Sequence, residues 1–282
     1  EPGSVGKVIS MSGYLQMGLH KMSDQLSVPD HITQEGQTYK DSFDHGTERW
    51  TLAGILQNSS NVGMIMAGEN YPDEQRYEYL TKFGIGQPTG LNLPGESSGL
   101  LTNPSAWDLR TRNTILFGQG YTVNALQLNN VVATIANKGV KQQQSIIKST
   151  TDANGKTTES KKGEATRVVD EKVASDMMNA MESVAEGYNK FVKVDGYRMA
   201  AKSGTAEVQG SDGTLSSIIS DYSVVIPADN PRYAVTVVMK DPNGVFGGLT
   251  AGPVSAQICE FLMQKYEVPV SGPRKNAIPV TW

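Results

Sequence analysis

The chain has 282 residues, 38% of them hydrophobic and 19% charged, with a formal net charge of -4. That length can bury a sizeable core, as one large domain or two small ones, and the acidic balance argues against a nucleic-acid binder, which carries a basic excess. No apolar run approaches the roughly 20 residues that span a bilayer, no signal peptide is visible, and the lone cysteine, Cys259, excludes an internal disulfide.

From the N-terminus, Val8, Ile9, Met11, Leu15 and Leu19 recur near helical period and predict a helix that starts close to Pro2 and Ser4. A polar connection is expected from Ser23 to about Glu48. "ERWTLAGILQNSSNVGMIMAG" reads as two helices joined by the polar triplet Ser59-Ser60-Asn61, the first carrying Trp50, Leu52, Ile55 and Leu56. "DEQRYEYLTKFGIG" predicts a helix stopped by Gly84 and Gly86. Residues 87–104 read as loop, and "TVNALQLNNVVATIANKG" as a helix ending at Gly139.

The texture then changes. Asn154-Gly155 is a hairpin signal between short β-branched runs, and the stretch Ser149 to Lys162 is expected to be the most mobile. "VDEKVASDMMNAMESVAEG" reads as a helix, then "YRMAAKSGTAEVQ", "ISDYSVVIP" and "RYAVTVVMK" as three strands. In the closing helix, "GPVSAQICEFLMQKY", Ile258, Cys259, Phe261 and Leu262 suggest the buried face, so the thiol is expected to be packed rather than reactive. The organisation is one domain over 1–282, mainly helical over 1–140 and sheet-and-helix over 141–282. Strands joined by modest loops favour antiparallel pairing, which makes the fold α/β of the α+β type.

Three motifs carry chemistry. In Ser4-x-x-Lys7, a lysine one helical turn from a serine can act as its base if its pKa is lowered. The competing reading is a helix cap and a solvated lysine. A second S-x-x-K, Ser145 to Lys148, falls in a predicted strand, where the two side chains would point to opposite faces. In Ser59-Ser60-Asn61 a hydroxyl can relay a proton and an amide can hold a carbonyl; the competing reading is again a helix cap. In Lys202-Ser203-Gly204-Thr205, a lysine and two hydroxyls could bind a carboxylate, and a strand glycine lets a substrate backbone approach; the competing reading is a charged edge strand. Lys161-Lys162-Gly163 is a decoy without a following threonine. His20, His31 and His45 lack metal spacing, so no metal or cofactor is expected.

The order S-x-x-K, S-x-N, K-S-G-T resembles the trio S-x-x-K, S-D-N, K-T-G of penicillin-binding proteins and class A β-lactamases. With flanks such as "TERWTLAGILQNSSNVG", "FGQGYTVNALQLNNVVATIANKG" and "GYRMAAKSGTAE", the chain resembles the transpeptidase domain of class B penicillin-binding proteins, the FtsI-like cell-division branch in particular. The S-x-G-K form of the first motif is similar to actinobacterial members. The resemblance implies an antiparallel sheet flanked by helices plus a helical subdomain. It also implies a peptidoglycan D,D-transpeptidase of septal wall synthesis, acting on D-Ala-D-Ala stem peptides and acylated by β-lactams. Ser4 would be the nucleophile and Lys7 the base. Ser59, Asn61 and Lys202 would complete the catalytic set, and Ser203, Gly204 and Thr205 would bind substrate. Divisome proteins would be its partners, on the extracytoplasmic face of the bacterial cell membrane, with the anchor outside this chain. Because the family carries strands ahead of its nucleophile helix, N-terminal strands are expected to be missing and Ser4 to be poorly held. A β-lactamase would need a deacylating glutamate, and no E-x-x-x-N segment supplies one; a D,D-carboxypeptidase or a β-lactam sensor remains an alternative.

Overall fold

The computed structural model of the chain describes residues 1–91, 93–161, 163–209, 215–244 and 246–282. A 3-10 turn, Gly3–Val5, runs directly into helix α1 (Gly6–Gln16). Every residue from Val5 to Tyr14 is buried, and a helix buried all round is a central one. Small residues at Gly6, Ser10, Ser12 and Gly13 let neighbours close in on every side. The chain start is therefore not loosely held. Pro2 and Gly3 are buried, and Glu1 Oε1 accepts a bond from Gly120 N at 2.9 Å.

Residues 23 to 48 are not the plain connection that their polarity suggests. They form β1 (Gln25–Val28), β2 (His31–Gln34) and β3 (Gln37–Lys40), and β4 (Glu48–Thr51) follows. Glu35 and Gly36 take φ of 46° and 81°, the left-handed pair that closes a tight β2–β3 hairpin. Strand β4 pairs with β1, placing Trp50 opposite Leu26. Trp50 is thus a strand residue, and helix α2 (Leu52–Gln57) begins only after Thr51, whose hydroxyl accepts from Gly54 N at 3.1 Å.

Helices α3 (Asn61–Ala67), α4 (Asp73–Lys82), α5 (Leu109–Thr114) and α6 (Ala125–Ala136) complete the helical part. Two small exposed pairs follow: β5 (Val140–Gln142) with a later strand β8 (Ala165–Arg167), and the hairpin of β6 (Ser149–Thr151) with β7 (Thr157–Glu159) around Asn154-Gly155. Ser145 to Lys148 precede β6 in an exposed loop rather than a strand. Lys162 of the Lys161-Lys162-Gly163 decoy lies outside the described residues.

Helix α7 (Glu171–Gly187) leads to the central sheet of β9 (Ala200–Gln209), β10 (Leu215–Ile226) and β11 (Tyr233–Lys240), antiparallel in the order β11-β10-β9. Helix α8 (Gly247–Lys265) is followed by residues 266–282, which return to β4, where Thr281 bridges Trp50. Alternation divides the sheet's side chains between two cores. Ala200 and its partner Val225 join the core of α1, α6 and α7, whereas Ala201 and its partner Val224 join that of α8. Because the first core runs from Val8 to Val225, the parts before and after residue 140 fold around common contacts. On α8, Cys259 is buried, and burial pushes its thiol up to about 12. Ile258 and Phe261, expected on the same buried face, are 39% and 58% exposed, because the helical period turns them to the opposite side. Among the described residues no helix is long and apolar enough to cross a membrane.

Candidate active site

Ser4 does not cap a helix. Pro2 holds that position, and no side chain makes a capping bond there. The Ser4 Oγ instead lies 3.0 Å from Lys7 Nζ. Two glycines allow this placement. Gly3 takes φ +54°, and a Cβ on it would stand 2.6 Å from Thr205 O and 2.8 Å from Thr205 N, so the turn bearing Ser4 rests on the backbone of β9. A Cβ on Gly6 would stand 2.4 Å from the Tyr121 hydroxyl and 2.6 Å from Gly118 Cα. Gly6→Ala should therefore destabilise the protein by about 2 kcal/mol through overpacking, against a helix-propensity gain of about 1 kcal/mol. Equilibrium denaturation checks this; a neutral or stabilising substitution would mean that the loop at Gly118 yields freely.

Lys7 is completely buried. Its Nζ lies 2.5 Å from Ser59 O, 2.8 Å from Asn61 Oδ1 and 3.2 Å from Ser59 Oγ. Burial holds its pKa well below that of free lysine, the Lys202 charge adds to the depression, and Asp41 opposes it. A neutral amine has two N–H groups and one lone pair. Ser59 O and Asn61 Oδ1 can only accept, so they take the two N–H groups. The lone pair is then left for the Ser4 hydroxyl, as a base requires.

In the S-x-N segment the cap and the chemistry fall on different residues. Ser60 caps α3, its Oγ accepting from Gly63 N at 2.8 Å. Ser59 stands at φ +57°, a costly conformation for a residue with a Cβ that turns its hydroxyl and carbonyl toward Lys7. Asp41 holds the start of α3: its Oδ1 accepts from Asn61 N at 2.6 Å and Val62 N at 3.0 Å, and its Oδ2 lies 3.0 Å from His45 Nε2.

Alternation along β9 turns Lys202 and Gly204 toward α1, and Ser203 and Thr205 toward the α8 side. Lys202, also fully buried, donates to Ser59 Oγ at 2.9 Å and Ser203 O at 3.0 Å. Burial brings its pKa down to about 7, with Asp221 opposing. Ser59 Oγ thus bridges the two amines. Gly204 sits opposite Asp221 of β10. A Cβ there would stand 2.3 Å from Asp221 Oδ2 and 2.6 Å from Pro2 O, so the glycine makes room for protein on its inner side. On the outer side, Tyr188 OH lies 3.1 Å from Ser203 Oγ, and Gly247 N donates to Thr205 Oγ1 at 3.2 Å.

These groups meet at a cleft of about 610 Å³. Ser4, Ser59, Asn61, Ser203 and Thr205 line it, Phe43 and Phe246 stand among its exposed walls, and Lys7, Lys202 and Gly204 lie off its surface. Motif reading misses Asp41, Tyr188 and Asp221. Asp41 lies in a polar stretch 20 residues before Asn61, as sequence separation in its hydrogen bond shows, and neither of the others belongs to a recognisable pattern.

A serine beside a buried lysine whose pKa is held well below the ordinary value, with a hydroxyl bridging to a second buried lysine, has the arrangement that acyl transfer through a serine requires. Residues 1–260 match the penicillin-binding protein transpeptidase domain. The chain is 34% identical to penicillin-binding protein PbpB of Mycolicibacterium smegmatis over 285 residues, covering 96% of this chain and 44% of that protein. It is 35% identical to the peptidoglycan D,D-transpeptidase FtsI of Escherichia coli, covering 92% and 42%. A peptidoglycan synthetase structure from Bifidobacterium adolescentis superposes with a TM-score of 0.96 at 68% identity, covering 100% of this chain and 52% of that one. Penicillin-binding protein 3 of Mycobacterium tuberculosis complexed with ampicillin gives 0.91 at 32%, covering 100% and 66%. The chain belongs to the penicillin-binding protein transpeptidase family, and it spans less than half the length of the curated relatives it matches.

Proposed function

We propose that this domain crosslinks peptidoglycan through a Ser4 acyl-enzyme. The observation that carries the reading is the position of the buried Lys7 amine between Ser4 Oγ and acceptors that use up its N–H groups. Lys7 takes the Ser4 proton as Oγ bonds to the carbonyl carbon of the penultimate D-Ala. The backbone N–H groups of Ser4 and Thr205 hold the developing oxyanion. Ser59, between the two lysines, passes a proton to the amine of the terminal D-Ala as its C–N bond breaks. An amine from a neighbouring stem then attacks the ester, loses a proton back through the same relay and frees Ser4. Ser203 and Thr205 hold the terminal carboxylate, Asn61 holds the substrate amide, and Gly204 keeps β9 close to the nucleophile.

β-Lactams acylate Ser4 as substrate mimics. Peptidoglycan lies outside the cytoplasmic membrane, so the domain works on that face; likeness to FtsI and PbpB supports septal synthesis with division proteins as partners. Incubation with labelled penicillin followed by peptide mass mapping should give one adduct, on Ser4, and none in Ser4→Ala. A folded protein with no adduct, or with the label elsewhere, removes the assignment. Release of products from a D-Ala thioester with and without a D-amino-acid acceptor separates crosslinking from hydrolysis and from a sensor that only stays acylated.

A further inference from the structure

Among the described residues that line the cleft, Glu207 is the single charged side chain. It follows Ser203 and Thr205 at the two-residue period of strand β9, so all three share one face. It is exposed, and its carboxylate makes no ion pair among the described residues. A charge exposed on the cleft wall, with Lys7 and Lys202 buried behind the cleft surface, sets a local potential that discriminates ligands by their charge.

The acylation reading above, on which this inference rests, fixes the direction of the donor peptide. Its terminal carboxylate lies at Ser203 and Thr205, and its reacting carbonyl at Ser4 N and Thr205 N. From Thr205, level with the reacting carbonyl of the penultimate D-Ala, to Glu207 the strand rises about 6.6 Å, and each extended peptide residue spans about 3.3 Å, so the backbone of the next residue upstream covers about half of that rise and its side chain the remainder. The residue before D-Ala-D-Ala therefore reaches the level of Glu207. We infer that Glu207 is a specificity residue that receives a cationic group, an unacylated ammonium, on that upstream residue of the donor stem.

Penicillins carry side chains at the corresponding position and test this directly. Second-order rate constants for Ser4 acylation are compared for ampicillin, with an α-ammonium, carbenicillin, with an α-carboxylate, and benzylpenicillin, with neither. The ratio of ampicillin to carbenicillin should fall about fivefold in Glu207→Gln and further in Glu207→Lys. In the wild type it should shrink in 0.5 M salt. Ratios that agree within about twofold in all three proteins overturn the assignment while leaving serine acylation in place. Absence of any Ser4 adduct with benzylpenicillin removes the acylation reading and this one with it.

Discussion

Lys7→Ala should lower the rate of Ser4 acylation by penicillin about a hundred- to ten-thousandfold, the usual contribution of a positioned general base. The Nζ of Lys7 is within 3.2 Å of four oxygens, Ser4 Oγ and Ser59 Oγ among them, and no other amine in contact with Ser4 Oγ is found among the described residues. Lys7→Arg separates proton transfer from charge, because a guanidinium keeps the charge and cannot be deprotonated in proteins. Both variants should stay at least about a hundredfold slower than the wild type at every accessible pH, and near-wild-type acylation by Lys7→Arg would sink the base assignment.

The pH profile gives the same test a sign. Only neutral Lys7 can accept the Ser4 proton, so acylation falls as pH drops through the Lys7 pKa. That acid limb lies well below the 10.5 of free lysine, because burial first, and then the Lys202 charge, disfavour the protonated form. Removing that charge in Lys202→Met should move the acid limb toward higher pH. An acid limb that stays in place, or moves down, would show that the titrating group is not coupled to Lys202.

Gly204→Ala should cost about 3 kcal/mol in stability, at the upper end of ordinary overpacking, and should also depress acylation. The added methyl would stand 2.3 Å from Asp221 Oδ2 and 2.6 Å from Pro2 O. Asp221 sits on the middle strand of the sheet, so Pro2 is the easier group to displace. Moving Pro2 shifts the turn that bears Ser4 away from Thr205, so relief of strain and loss of activity should go together. Adding Asp221→Ala to Gly204→Ala removes both carboxylate contacts and leaves only that with Pro2 O, and should recover stability more than acylation.

Asp221 brings its own pH dependence. Neither carboxylate oxygen has a hydrogen-bond partner among the described residues, and burial pushes the carboxyl from its ordinary 3.8 up to about 8, with the Lys202 charge opposing. Between those values the folded protein binds a proton that the unfolded chain releases, so this group's contribution to stability falls as pH rises through the window. Asp221→Asn should therefore stabilise more at pH 8 than at pH 5 in denaturant titrations. A difference that is the same at both pH values would place the carboxylate in contact with solvent.

Local pattern was enough for the three long strands and for the helices other than α5, which it did not mark. Hydrophobic period marks α1, α6 and α7, and β-branched runs mark β9 to β11. It failed between Ser23 and Glu48, where short strands carry too few apolar residues to stand out from a loop, and at Trp50, whose strand pairing with Leu26 overrides an apparent helical spacing. The site divides in the same way. Ser4 and Lys7 were readable as a pair, because one helical turn places them side by side whatever the rest of the chain does.

Amino-acid types and their local spacing were sufficient for the three motifs and for the family. They could not reveal that Ser60 takes the capping role while Ser59 turns to Lys7, that Asp41 anchors Asn61, or that Gly204 faces Asp221. Those relations depend on the path of a loop and the register of a sheet, which come from packing between residues far apart in the chain. The lysine pKa values have the same origin: a lone Lys7 or Lys202 is an ordinary amine until the two cores close around it and exclude water.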